Sequence, residues 1–279
     1  MNYILYNPIS GHGMSKEYAE KFKALDNEAC LMNMTEISSY ESFFESIKPD
    51  DKITVCGGDG TLNRFINEIK NISVSNRILY YPAGTGNDFC VDITEQKPQE
   101  PIDITQYLKN LPTVTVNGKD YKFINGVGYG IDGYCCEVGD ELRAKGKVAN
   151  YTAIAIKGLL FKFKPRNATV VVDGVEKKYD KVWIAPTMFG KHYGGGMIPT
   201  PNQSREAEPH KLSLMMFHGS GKLKTLMIFP SIFKGEHVKH TECVEVIEGS
   251  KITVKFDRPT ALQIDGETIL GVTEYTATV

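Results

Sequence analysis

Long apolar runs are missing from this 279-residue chain. A membrane-crossing helix needs about 20 mostly apolar residues. The best stretch here, Ala153 to Phe163, is broken by Lys157 and Lys162. The opening residues MNYILYNPISG lack the basic start and apolar centre of a secretory leader, so none is expected. Six cysteines occur without a Cys-x-x-Cys pair, which removes zinc ribbons and thioredoxin-like centres. Cys135 and Cys136 read as packed thiols of a reduced, cytoplasmic protein. Excess charge is also missing: 32 Lys and Arg face 34 Asp and Glu, so no nucleic-acid partner is expected. There is no G-x-x-x-x-G-K-[ST] loop, no G-x-G-x-x-G after the first strand and no G-x-S-x-G elbow. P-loop nucleotidases, dinucleotide oxidoreductases and elbow-type hydrolases lose support accordingly. Gly219-Ser220-Gly221-Lys222 lacks the upstream glycine and reads as a polar turn.

What is present suits a globular chain. Hydrophobic residues are 41% and charged residues 24%, enough to bury a core without disulfide or metal staples. The first hundred residues alternate short apolar runs with amphipathic segments. Tyr3 to Tyr6, Ile53 to Cys56 and Ile78 to Tyr81 read as buried strands, with a helix after Ser15 and another after Gly60. Such alternation predicts an α/β fold with a parallel sheet. Beyond about residue 110 the pattern changes. Asn117-Gly118 and Asp173-Gly174 are strong hairpin signals, and Leu212–Phe217, Cys243–Ile247, Ile252–Phe256 and Ala261–Ile264 read as short strands. One helix is expected near Val148 to Phe163. The C-terminal part is therefore expected to be a mostly antiparallel β-sandwich. The domains are placed at 1–108 and 109–279, with the C-terminal tail free to pack back on the first.

Three small-residue loops follow the three strands. Gly57-Gly58-Asp59-Gly60-Thr61 joins a strand to a helix, where glycine lets a backbone approach a phosphate and the helix start attracts it. Asp59 would repel phosphate and makes sense there as the holder of a magnesium ion. Asn7-Pro8-Ile9-Ser10-Gly11 and Pro82-Ala83-Gly84-Thr85-Gly86-Asn87-Asp88 follow the other two strands. In an open parallel sheet the carboxyl ends share one edge, and ligands bind there.

These three loops resemble the signatures of the diacylglycerol kinase catalytic-domain family, nearest to its bacterial soluble lipid kinases. The resemblance continues through Asn125-Gly126-Val127-Gly128, Tyr193 to Met197, Gly235 to His240 and Asp265-Gly266-Glu267, in the family's order. It implies an ATP-dependent kinase whose first domain binds nucleotide, whose second holds much of the lipid acceptor site, and whose cleft between the two is catalytic. By the same resemblance Asn7, Pro8, Ile9, Ser10 and Gly11 line the ATP phosphates, together with Gly57, Gly58, Asp59, Gly60, Thr61, Leu62 and Asn63. Thr35 and Thr85 match further nucleotide contacts, Asn87 and Asp88 organise the active-site edge, and Glu267 matches the general base.

The chain departs from the family at Arg64, where Glu is frequent, and at Glu208-Pro209-His210, where an Asp-Gly helps hold a structural magnesium. Glu208 is a weak substitute for that aspartate. His237 and His240 lack a third zinc ligand and read as surface or hydrogen-bonding residues. Lys157, Lys162, Lys164 and Arg166 read either as a solvated face or as steering toward an anionic membrane. The expected cofactors are ATP and Mg2+. The expected partners are a lipid substrate and the inner membrane face, bound peripherally, with a homodimer left open. Diacylglycerol is the default acceptor. The rivals are an NAD kinase-like or other soluble-acceptor kinase, and a nucleotide-binding regulator without turnover.

Overall fold

Runs such as Ile53-Thr54-Val55-Cys56 are too short for helices and too continuous for a half-exposed strand. In the computed structural model they are the buried centre of a sheet, with Ile53, Val55 and Cys56 fully enclosed. The structure describes residues 1–84, 87–94, 98–147 and 149–279. The chain divides into two units, residues 1–111 and 112–279.

In the first unit the elements are β1 (Asn2–Tyr6), α1 (Met14–Leu25), β2 (Cys30–Asn33), α2 (Tyr40–Ser46), β3 (Lys52–Gly57), α3 (Asp59–Ile69), β4 (Arg77–Pro82), α4 (Asp88–Thr94) and β5 (Ile102–Asp103). The sheet order is β2-β1-β3-β4-β5. The first four strands are parallel, and β5 closes the edge antiparallel to β4. The loops after β1, β3 and β4 therefore leave neighbouring strands at one edge. One core cluster packs Ala19 and Phe22 of α1 against Ile4, Cys56 and Tyr81 of the sheet.

The second unit contains β6 (Thr113–Val116), β7 (Lys119–Lys122), β8 (Gly126–Tyr129), α5 (Ile131–Ala144), α6 (Tyr151–Lys157), β9 (Arg166–Val172), β10 (Val175–Val182), β11 (Thr187–Met188), β12 (Leu212–Phe217), α7 (Lys222–Ile228), β13 (Val244–Gly249), β14 (Lys251–Ile264) and β15 (Glu267–Thr278). Its strands pair antiparallel in the order β13-β12-β11-β8-β14-β15-β6-β7, with β9 joining β14 to β10. The long strand β14 changes partner along its length. Ile252 to Phe256 pair with β9, whereas Leu262 to Ile264 pair with β8. Its register with β15 shifts on both sides of Thr260. Bends of this kind let one strand serve two layers, the sandwich arrangement.

Several local expectations need correcting. Ser15 does not cap α1. Gly13, with φ of +95°, precedes the helix, and the Ser15 hydroxyl turns inward to donate to Cys56 O at 2.5 Å. The expected helix at 148–163 is shorter: α6 ends at Lys157 and a π-turn continues over Gly158–Lys162. Val148 lies outside the described residues. The two strands expected at 252–256 and 261–264 are one strand, because Pro259 sits at the bend where β14 has released β9. The Asn117-Gly118 and Asp173-Gly174 hairpins form, with both residues of each turn at positive φ.

Candidate functional site

The three bends of the first unit touch one another. Ser10 Oγ accepts from Gly58 N at 3.2 Å, and Ala83 N donates to Gly57 O at 2.8 Å. Gly58 and Gly84 meet backbone to backbone: a Cβ on Gly84 would stand 2.5 Å from Gly58 Cα. A Cβ on Gly57 would strike the Thr61 side chain, and one on Gly11, already at φ +58°, would strike Ala83 O. Glycine is thus required at these junctions by packing alone. The result is a patch where main chain packs on main chain, Gly58 against Gly84, at the N-terminus of the 11-residue α3. The N–H groups of Gly60 and Thr61 belong to the first helical turn and have no intrahelical acceptor. Backbone donors of this sort suit phosphate oxygens.

The other predicted residues fall into two groups. Asn7 Oδ1 accepts from Ile9 N at 3.3 Å, and Ser10 N donates to Asn7 O at 3.1 Å, so the Asn7-to-Gly11 bend is self-bracing, with Pro8 inside it and Ile9 exposed. Asn87, at φ +52°, clamps Gly84 by accepting from its N–H at 3.0 Å and donating to its carbonyl at 2.8 Å. These residues border the patch. Leu62 and Asn63 instead turn inward. Leu62 is fully buried with its N–H on Gly58 O, and Asn63 Oδ1 accepts from Asn67 at 3.2 Å. Thr61 is buried beneath Gly57. Thr35 stands after β2, where its N–H and hydroxyl both bond Asn33 Oδ1. Thr85 lies outside the described residues.

Asp59 has a structural partner that the sequence did not announce. Its carboxylate accepts from the N–H groups of Asp88 at 2.7 Å and Phe89 at 3.2 Å, capping α4 from the start of α3. Asp88 is buried at that helix start. Burial first, and then the nearby Asp59 carboxylate, push the Tyr80 phenol well above its ordinary pKa, so it stays a donor to Gly57 O at 3.0 Å. Among the described residues no three acidic, cysteine or histidine side chains gather as a metal site. Glu208 is exposed and faces His210 at 3.2 Å. His237 is fully buried, with Nε2 at 2.8 Å from Pro199 O, whereas His240 is half-buried.

In the second unit, Asp265-Gly266 is the two-residue turn between β14 and β15, with φ of +46° and +95°. Asp265 is buried, and its carboxylate accepts from Ile124 N at 2.6 Å and from Asn125 N and Gly126 N at 2.9 Å. That ties the turn to the segment entering β8. On the other side, Gly266 N donates to Gln263 Oε1 at 2.6 Å, and Gln263 Nε2 donates to Asp132 Oδ2 at 2.9 Å. Asp132 is buried in α5, and burial raises its pKa from 3.8 to about 6 against the pull of the Gln263 donor. Glu267 follows this braced turn and opens β15 with its side chain exposed. A carboxylate at a rigid exposed turn can accept a proton. Sequence reasoning reached Glu267 but missed Asp265, Gln263 and Asp132 as its support. Only Asp265 carried a signal, the Asp-Gly turn dipeptide.

Comparison with known proteins agrees with both halves. Residues 2–116 match the model described as the diacylglycerol kinase catalytic domain, and residues 125–279 match the YegS C-terminal NAD kinase beta sandwich-like domain. The chain is 26% identical over 252 residues to a diacylglycerol kinase of Mycobacterium tuberculosis, covering 85% of this chain and 80% of that one. It is 23% identical over 287 residues to the diacylglycerol kinase of Bacillus subtilis, covering 95% and 88%. A solved structure from Bacillus anthracis superposes with a TM-score of 0.70 at 19% identity, covering 99% of this chain and 91% of that chain, and supports the fold.

Proposed function

The chain belongs to the diacylglycerol kinase catalytic-domain family, and on that premise we propose that it transfers the γ-phosphoryl group of ATP to the hydroxyl of a lipid, by default diacylglycerol. The observation that carries this reading is the glycine-walled junction of three bends at one sheet edge, with the α3 N-terminus in it. It offers backbone donors to phosphates where a side chain would not fit. Gly60 and Thr61 would donate to phosphate oxygens, with Ser10 and Asn87 holding the neighbouring bends in place.

Phosphoryl transfer is mostly positioning and charge stabilisation, with a proton acceptor for the attacking hydroxyl. Glu267 takes that proton as the lipid oxygen bonds to the γ-phosphorus and the bond to the ADP oxygen breaks. Asp265 and Gln263 keep the turn that presents Glu267 in one conformation. No three acidic, cysteine or histidine side chains gather among the described residues. Magnesium enters this reading as the counter-ion that arrives with ATP, where it offsets phosphate charge.

A peripheral lipid surface is the natural location of such an acceptor, and the second unit has features that suit one. Phe161, Leu223 and Met227 are each 75% exposed. Lys222 Nζ donates to Leu160 O at 3.2 Å, which brings the start of α7 beside the π-turn that carries Phe161 and Lys162. Exposed apolar side chains flanked by lysines favour anionic bilayers. No helix among the described residues is long and apolar enough to cross a membrane.

A labelled-ATP transfer assay over mixed micelles of diacylglycerol, sphingoid base and other lipid alcohols, with products weighed by mass spectrometry, tests the reading. The expected result is an ATP-dependent gain of one phosphoryl group on a lipid. Transfer to NAD or another water-soluble acceptor without lipid, and none to the micelles, would overturn it.

A further inference from the structure

Where β14 parts from β9, the second unit opens a cavity of about 320 Å³. It is walled by α5, by the chain running from the π-turn into β9, and by the bend of β14. The paired ladder of β9 and β14 ends at Ala168 opposite Phe256. Beyond it Arg166 and Arg258 are near enough to repel each other, and both residues line the cavity, together with Lys162 and Lys164. Glu137 is the sole carboxylate in that lining. Asp257 lies 3.7 Å from Arg258 and partly offsets the charge of both arginines. Among the described residues, neither Lys162 nor Lys164 is bonded to a carboxylate.

Arg166 is the most informative of the four. It is half-buried, with its guanidinium 5.6 Å from the Phe163 ring centroid and Nη1 donating to Lys164 O at 2.7 Å. Its Nε is buried and has no acceptor. Burial, and then repulsion by Arg258, hold its pKa below the ordinary arginine value. A buried guanidinium donor without an acceptor is costly unless an anion completes it. The hydroxyl-bearing residues Tyr134 and Thr260 also line the space, and Gly271, at φ +69°, leaves the β15 side of it free of a side chain. Paired arginines suit a tetrahedral oxyanion, which two planar forks can grip at once.

We propose that this cavity binds a phosphomonoester-type dianion, with Arg166 and Arg258 as the grip and Lys162 and Lys164 at the mouth. The same chemistry is presented by inorganic phosphate and by the headgroup of a phosphorylated lipid. The proposal does not rest on the kinase reading, because its test reads binding and not turnover.

The test follows the arginine Nε–Hε resonances of the full ¹⁵N-labelled chain, with the Arg166 signal identified by its loss in Arg166→Lys. Reading at Arg166 keeps phosphate bound elsewhere from being mistaken for this site. Inorganic phosphate is expected to move the Arg166 signal saturably, while chloride at equal ionic strength does not. Arg258→Ala should weaken the response about tenfold, and Lys119→Ala, on exposed β7, should leave it unchanged. In parallel, phosphatidylcholine vesicles carrying phosphatidic acid are compared with vesicles carrying phosphatidylglycerol at matched surface charge. A response to inorganic phosphate identifies the free anion as sufficient. No such response, with a preference for phosphatidic acid that Arg258→Ala abolishes, identifies the lipid headgroup. Neither response nor preference, or equal losses in Arg258→Ala and Lys119→Ala, overturns the proposal.

Discussion

The two units hold their functional bends by opposite means. In the first, backbone is pressed against backbone: Gly58 meets Gly84, and Gly11 meets Ala83, so the geometry depends on the absence of side chains. In the second, a buried carboxylate holds the bend. Asp265 gathers three N–H groups, and a Gln263-to-Asp132 chain braces the other side of the turn. The difference follows from what each bend has to present. A surface that receives phosphate must expose main-chain donors, so side chains are excluded. A turn that presents one carboxylate must be stiff, and a second, buried carboxylate stiffens it without adding exposed charge. Acidic residues inside a recognised motif therefore do unlike things. Asp59 and Asp265 both spend their oxygens on backbone N–H groups, while Glu267 keeps its side chain exposed.

This contrast can be broken by substitution. The largest effect is expected for Asp265→Ala, which strands three buried donors. Each unsatisfied donor costs about 1–3 kcal/mol, so denaturant unfolding should show a loss of roughly 3 kcal/mol or more in the second unit. A loss under about 1 kcal/mol would mean that the turn does not depend on its carboxylate.

Next comes the pH dependence carried by Asp132. Its pKa rises from 3.8 to about 6 on folding, so the folded state holds the proton more tightly. That contribution is complete below about pH 4, declines as pH rises toward about 6, and is absent above it. The change is on the order of 3 kcal/mol. Asp132→Asn should flatten the stability of the second unit across that range, and an unchanged pH profile would reject the assignment.

Gly84→Ala should follow, costing about 1–3 kcal/mol through overpacking against Gly58. Unlike Asp265→Ala, it should weaken ATP binding in calorimetry more than it lowers the stability of the second unit. The smallest effect is expected for Asp59→Asn. One amide oxygen can still take the 2.7 Å bond from Asp88 N while the longer bond from Phe89 N is lost, so thermal unfolding should report a loss of about 1 kcal/mol. A loss as large as that from Asp265→Ala would erase the distinction between the units.

Much of this arrangement was legible from residues alone, for identifiable reasons. Buried parallel strands announce themselves as short apolar runs, and the loops after them carried glycines at positions where the packing admits nothing larger. Asn117-Gly118 and Asp173-Gly174 marked hairpins because both turn positions need positive φ. What stayed hidden depended on long-range partners. Ser15 looked like a helix cap because its acceptor, Cys56 O, is 41 residues away in the chain. The α5 helix escaped notice because its first turn, Ile131-Asp132-Gly133, is buried and offers no amphipathic rhythm. Gly133 is there because a Cβ would strike Ala261 O, a contact no local pattern encodes. The continuity of β14 through Pro259 was masked by the bend that also opens the basic cavity. Asp132 had no sequence signal, since its meaning comes from Gln263, 131 residues later.

The most direct test of the central claim is to measure kcat and ATP affinity together for Glu267→Gln in the lipid transfer assay. If the bends of the first unit bind nucleotide and Glu267 accepts the lipid proton, kcat should fall by about 100- to 10,000-fold while the Kd for ATP stays within about twofold. Turnover close to that of the unaltered chain, or a loss of ATP binding that accounts for the whole defect, would contradict the account.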